Sequence, residues 1–182
     1  AIMTTDTSQK QIALELEIGS KTVRIGATCK GSGMIEPNMG TMLSFITTDV
    51  SISPELLDEA LKSSVNISYN RVSVDGDTST NDMVLILANG LAENPTISEK
   101  GEDYYKFIEA LNYLNVVLAK KIAKDGEGAT KLIECKVTGA TSESNAVKLA
   151  KSVIKSSLVK TALFGSDANW GRILCALGYS DV

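Results

Sequence analysis

The sequence predicts an α+β or mixed α/β fold, a layered sandwich in which a partly antiparallel sheet packs against helices. Three observations carry that prediction. Two runs of alternating apolar residues, Ile12, Leu14, Leu16, Ile18 and then Val23, Ile25, Ala27, Cys29, flank Gly19-Ser20, so a β-hairpin with one buried face opens the chain. Further short strands and helix-period stripes interleave downstream. The hairpin demands antiparallel pairing, which excludes a doubly wound, wholly parallel sheet.

Each later element has its own signal. Lys30 to Thr41 holds three glycines and one proline in twelve residues, too many breakers for a regular element, and reads as a shaped loop. Met42 to Thr48 is a short strand. Ser53-Pro54 caps and opens a helix with Leu56, Leu57, Ala60, Leu61 and Val65 on one stripe. The polar stretch Asp75 to Asp82 leads into an apolar strand, Met83 to Ala88, which Asn89-Gly90 ends. From Ser98 onward Tyr104, Phe107, Ile108, Leu111, Leu114, Val117 and Leu118 recur at helical spacing until Asp125-Gly126. Thr130 to Thr138 alternates as a strand, Ser142 to Ser156 reads as a helix, Leu158 to Phe164 as another strand, and a last helix begins near Asn169. Ile2-Met3-Thr4-Thr5-Asp6 echoes Phe45-Ile46-Thr47-Thr48-Asp49, which raises the idea of an architectural repeat.

With 182 residues the chain is expected to be a single domain or a domain fragment. Hydrophobic residues at 43% and charged residues at 22% are ordinary for a globular chain, which argues against disorder. Net charge is −4, and no Lys/Arg cluster exceeds two adjacent residues, so neither nucleic acid nor an anionic membrane surface is an expected partner. No apolar run approaches the roughly 18 residues of a membrane span. The opening AIMTTDTSQK lacks the features of a signal peptide, and a cytoplasmic location is expected, or the mitochondrial matrix in a eukaryote. It also lacks an initiator Met, as a fragment of something longer would.

The chain has no histidine. It cannot by itself hold a Ser-His-Asp triad, a Cys-His pair or a His-ligated zinc. Cys29, Cys135 and Cys175 are odd in number and far apart, which suits neither a disulfide framework nor a Cys-rich metal site. Acid-base work must therefore use carboxylates, lysine or an α-amine. The loop KGSGMIEPNMGTML, Lys30 to Leu43, is not a Walker A loop, but its glycines let main-chain N–H groups approach a ligand, and Lys30 supplies a mobile cation. A threonine hydroxyl needs something to take its proton, and the economical solution without His is the threonine's own α-amine, of pKa about 7.7 to 8.0 in peptides. Cutting the chain between Gly40 and Thr41 would release that amine, and Gly40 is small enough for such a junction.

Five motifs, in order, carry a resemblance: the opening AIMTTDT, the loop KGSGMIEPNMGTMLSFITTDV, the segment DGDTSTND, the turn DGEGATK and LVKTALFGSDANWGR near the C-terminus. Together they resemble the ornithine acetyltransferase family, the bifunctional glutamate N-acetyltransferases of arginine biosynthesis, over nearly the whole chain. The resemblance implies an N-terminal-nucleophile-like architecture and a precursor that cuts itself before a threonine. Here that implies cleavage between 40 and 41, an α-chain remnant 1–40 and a β-chain part 41–182, with Thr41 as the catalytic, acetyl-accepting nucleophile. It further implies that Thr4, Lys30, Thr41 and Glu127 bind substrate, Lys30 at a carboxylate and Glu127 at an amino group. The implied substrates are N-acetylornithine and glutamate, with no cofactor or metal and with acetyl-CoA as an added donor in bifunctional members. The implied partners are the remaining segments of its own precursor, as an α/β heterodimer pairing into a heterotetramer.

The chain departs from the family pattern in carrying Gly40 where alanine is usual. The family's Thr-Gly oxyanion pair would lie upstream of residue 1, and a C-terminal substrate-binding Asn and Thr beyond Val182, so the chain is expected to be incomplete alone. Two other readings stand beside acetyl transfer: an N-terminal-nucleophile amidase or aminopeptidase, and a processing-incompetent fragment without activity. Asn81, Asp82, Asn169 and Arg172 are weighed as residues lining a cleft or ordering a loop, but read first as caps, with Trp170 as core.

Overall fold

Lys10–Ile18 (β1) and Lys21–Lys30 (β2) form the hairpin, closed by Gly19 and Ser20 at φ 53 and 65. Two successive residues at positive φ make the tight turn whose twist matches the strands. Its register puts Leu16 opposite Val23, Leu14 opposite Ile25 and Ile12 opposite Ala27, so the two apolar alternations share one face. The computed structural model describes residues 1–36 and 42–182. Leu43–Thr48 (β3) pairs antiparallel with β2, and Met83–Ala88 (β4) pairs parallel with β3, giving the order β1-β2-β3-β4.

The parallel step from β3 to β4 runs through Pro54–Ile67 (α1), whose N-cap Ser53 accepts the Leu56 N–H at 3.4 Å. Glu102–Lys124 (α2) lies across β1 and β2 and packs on α1. Phe107, Leu111, Leu114 and Leu118 of α2 are fully buried against Ile18, Val23, Ile25 and Ile46 of the sheet. Each such side chain contributes about 1.5–3 kcal/mol of burial. A polar tie joins the two helices where Asn115 Nδ2 donates to Ser64 Oγ at 2.8 Å, both residues buried. The opposite sheet face carries Met83, Leu85 and Leu87 of β4, exposed at 40%, 38% and 57%.

Three helices complete the chain: Glu143–Lys155 (α3), Ser157–Phe164 (α4) and Trp170–Gly178 (α5). They share a small cluster of Val153, Val159 and Ala176. Lys160 Nζ, donating to Val74 O at 2.7 Å, and Lys155, paired with Glu36 at 2.6 Å, tie them to the rest.

Several expectations are corrected. Leu158 to Phe164 is helix, not strand: a seven-residue, mostly apolar segment does not by itself separate the two periods, and Ser156, which accepts the Val159 N–H at 3.3 Å, starts a helix there. Thr130 to Thr138 is not a strand. Ile133, Cys135 and Val137 alternate inward as expected, but the segment joins no ladder among the described residues, and alternation without a hydrogen-bonded neighbour is not a sheet. The helix expected from Ser98 starts at Glu102, after the extended N-cap Gly101. The repeat is not architectural, since Thr47-Thr48 ends β3 while Thr4-Thr5 lies in no strand. What the two copies share is one hydrogen bond each: Asp49 accepts the Arg24 N–H and Asp6 the Gly31 N–H, both at 2.7 Å. Trp170 is 73% exposed and not core, while Asn169 caps α5 through the Arg172 N–H as expected.

Candidate active site

Three of the residues singled out in the sequence converge through their neighbours. Thr4 and Glu127 are exposed, and Lys30, the last residue of β2, is half-buried. Asp6 is buried, and its carboxylate accepts the N–H of Thr4 at 3.2 Å and of Gly31 at 2.7 Å. The Glu127 N–H donates to Ser32 O at 3.0 Å, and the Ser32 hydroxyl donates to Asp125 O at 2.7 Å. The opening TTDT segment, the loop after β2 and the turn after α2 therefore meet at one end of the sheet. Gly40 and Thr41, with the bond between them, lie outside the described residues.

Beneath this junction sits a buried ion group. Lys10 Nζ lies 2.6 Å from Asp6 Oδ1 and 2.5 Å from Asp125 Oδ2, with the Lys10 and Asp6 side chains fully shielded. Burial works against ionised Asp6, but the Gly31 N–H and Lys10 outweigh it and hold its carboxyl below the usual range. For Asp125 burial is likewise outweighed, by Lys10 and Thr7, and its carboxyl is held down at about 2. Lys10 is pushed down by burial and up further by its two carboxylates. The sequence carried a signal for this: Lys10 stands at an inward position in the alternation of Ile12, Leu14 and Leu16, and a lysine placed there must find partners.

Asp82 stands just before β4. Its carboxylate accepts the N–H of Met42, the residue after Thr41, while the Met83 N–H donates to Met42 O at 3.0 Å. Asp82 Oδ2 is buried and has no hydrogen-bond partner among the described residues. Burial pushes this carboxyl up to about 6, against the Met42 N–H and nearby Lys30, which favour the ionised form. Cys29 is no rival nucleophile, since burial pushes its thiol up to about 12. No group of three His, Cys, Asp or Glu that could hold a metal ion occurs among the described residues. A cavity of about 780 Å³ runs between Val72, Ala119, Ile133 and Val147 and reaches Glu127, but neither Thr4 nor Lys30 lines it.

The family model described as "ArgJ family" matches residues 1–182. The chain belongs to the ArgJ family. It is 64% identical over 180 residues to the arginine biosynthesis bifunctional protein ArgJ 1 of Clostridium acetobutylicum, covering 99% of this chain and 44% of that protein. The arginine biosynthesis bifunctional protein ArgJ of Listeria monocytogenes is 57% identical over 99% of this chain and 45% of its own length. The crystal structure of the arginine biosynthesis bifunctional protein ArgJ from Bacillus halodurans superposes with a TM-score of 0.76 at 55% identity, over 78% of this chain and 66% of that one. The chain thus spans somewhat under half the length of these ArgJ relatives. No helix among its described residues is long and apolar enough to cross a membrane.

Proposed function

We propose that the full-length protein carrying this chain transfers an acetyl group from N-acetylornithine to glutamate through an acetyl-threonine intermediate, after self-cleavage between Gly40 and Thr41. The observation that carries the reading is the meeting of the TTDT segment, the loop after Lys30 and the DGEG turn at one end of the sheet, through Asp6 to Gly31 at 2.7 Å and Glu127 to Ser32 at 3.0 Å. These are three of the segments on which the family resemblance places substrate-binding residues.

In this reading the Thr41 hydroxyl attacks the acetyl carbonyl while the new α-amine takes its proton. The acetyl–nitrogen bond breaks, the proton passes to the departing amine, and ornithine leaves. Glutamate's amine then attacks the threonine ester, regenerating the hydroxyl and giving N-acetylglutamate. Lys30 meets the substrate carboxylate and Glu127 its cationic amine. Asp82, by holding Met42, fixes the chain next to the nucleophile. Acetyl-CoA as a second donor, pairing of the cut chains into a heterotetramer, and a cytoplasmic site of action belong to the same proposal.

Incubation of the full-length protein with N-acetylornithine and glutamate tests it. N-acetylglutamate, with a threonine at residue 41 heavier by one acetyl group in the trapped enzyme, is the expected result. Free acetate alone would mean a hydrolase, and no turnover by cleaved protein would overturn the reading.

A further inference from the structure

The segments bearing Thr4, Lys30 and Glu127 are fastened together by one shielded ammonium. Lys10 Nζ bonds both Asp6, at 2.6 Å, and Asp125, at 2.5 Å. Each carboxylate then reaches a different part of the site. Asp6 accepts the N–H of Thr4 and that of Gly31, so it fixes the backbone of one proposed substrate contact and of the residue following another. Asp125 accepts the N–H groups of Thr7 at 3.0 Å and Ser8 at 3.4 Å, and its main-chain oxygen accepts the Ser32 hydroxyl. Glu127 lies two residues further on and is bonded through its own N–H to Ser32.

Stability alone does not call for an ion group at this position. Apolar side chains of similar size replacing the whole group are often as good or better, because a buried ion group must first recover the cost of leaving water, whereas removing one member strands its partners. What an apolar side chain cannot do is hold two carboxylates at a set separation while each carboxylate holds a different loop. The geometry points to Lys10, with Asp6 and Asp125, as the positioning element of the substrate site. It sets the spacing of Thr4, Lys30 and Glu127 without touching substrate. This rests on the acetyl-transfer reading above.

The test uses the full-length protein and two variants, Lys10→Met and Lys10→Met/Asp125→Asn. The double variant returns the group to its wild-type net charge and leaves Asp6 to the Thr4 and Gly31 N–H groups, and its Asn carbonyl can still accept the Thr7 and Ser8 N–H groups. The single variant is expected to melt earlier and to raise KM for N-acetylornithine about tenfold with kcat within about threefold, as a misplaced contact does. The double variant is expected to recover part of the lost Tm while keeping the raised KM. A structural group alone would move Tm and leave KM, so an unchanged KM, or a KM that recovers together with Tm, overturns the inference. If the single variant does not fold, the double variant decides. Hydrogen exchange at the Thr4 and Gly31 amides, without substrate, decides independently of the reaction. Faster exchange in the double variant supports the link and unchanged protection removes it. Wild-type protein that makes no N-acetylglutamate would sink the reaction reading, and the exchange result would still stand.

Discussion

The carboxylate of Glu127 fills the space that a side chain on Gly33 would need. A Cβ placed on Gly33 would stand 2.5 Å from Glu127 Cδ and Oε1 and 2.7 Å from Oε2. Glycine at 33 is therefore a matter of room for one functional group and not of backbone freedom, and the loop after β2 acts as a rest for the exposed end of the DGEG turn.

Gly33→Ala is expected to push that carboxylate aside, because the far end of a flexible side chain yields before backbone does. KM for N-acetylornithine should rise about tenfold, as for Glu127→Gln, with Tm nearly unchanged, since neither variant leaves a buried charge unpaired. Steady-state kinetics of both single variants and the double variant check it. If they act on the same contact, the double variant is little worse than either single one. Additive effects would separate Gly33 from Glu127.

Thr41→Ala should abolish self-cleavage and acetyl transfer together, because in the proposed mechanism one hydroxyl serves both. Intact mass and N-acetylglutamate formation read the two effects. A variant still cut between residues 40 and 41 would remove Thr41 from processing.

Asp82 is expected to make stability depend on pH. Its folded carboxyl titrates near 6 against an ordinary 3.8, so the folded state holds the extra proton between those values and Asp82's contribution to stability falls as pH rises through that window. Asp82→Asn keeps an acceptor for the Met42 N–H and removes the titration. Relative to wild type it should gain stability as pH goes from about 4 to about 6. A fully buried group with this displacement would give about 3 kcal/mol, which partial exposure lowers to about 1–2 kcal/mol. Thermal melts of both proteins from pH 4 to pH 7 measure it, and parallel curves would mean that Asp82 titrates normally.

Ser156→Ala removes the cap of α4 and should cost about 1 kcal/mol in urea denaturation. No change would mean that the Ser156 to Val159 bond contributes nothing in solution.

The isolated 182-residue chain should self-associate. Among the described residues β4 pairs on one side only, with β3, and Met83, Leu85 and Leu87 face outward beside that open edge. Sedimentation velocity should show species heavier than the 19.3 kDa monomer, reduced by Leu87→Lys. A monodisperse monomer would contradict this.

Much of the fold is legible because its signals are local. The hairpin needs only two alternations and a two-residue turn, α1 only Ser53-Pro54 and its stripe, α2 only apolar spacing of three and four. Thr130 to Thr138 and Leu158 to Phe164 failed for opposite reasons. The first kept its alternation but lacks a neighbouring strand, and the second had an apolar run too short to distinguish the two periods without its Ser156 cap.

The site divides in the same way. Five motifs in order are enough to point to the family, and with it to Thr4, Lys30, Thr41 and Glu127, because motifs record identity and spacing along the chain. What holds them emerges from the folded chain: Asp6 reaches Gly31, Asp125 reaches Thr7, Lys10 joins both carboxylates, and Glu127 rests on Gly33. Asp125 and Lys10 stand 115 positions apart. Contacts between such distant residues leave no periodic or spacing signal, because they exist only once β1 and the end of α2 have been brought together by burial of the sheet's inner face.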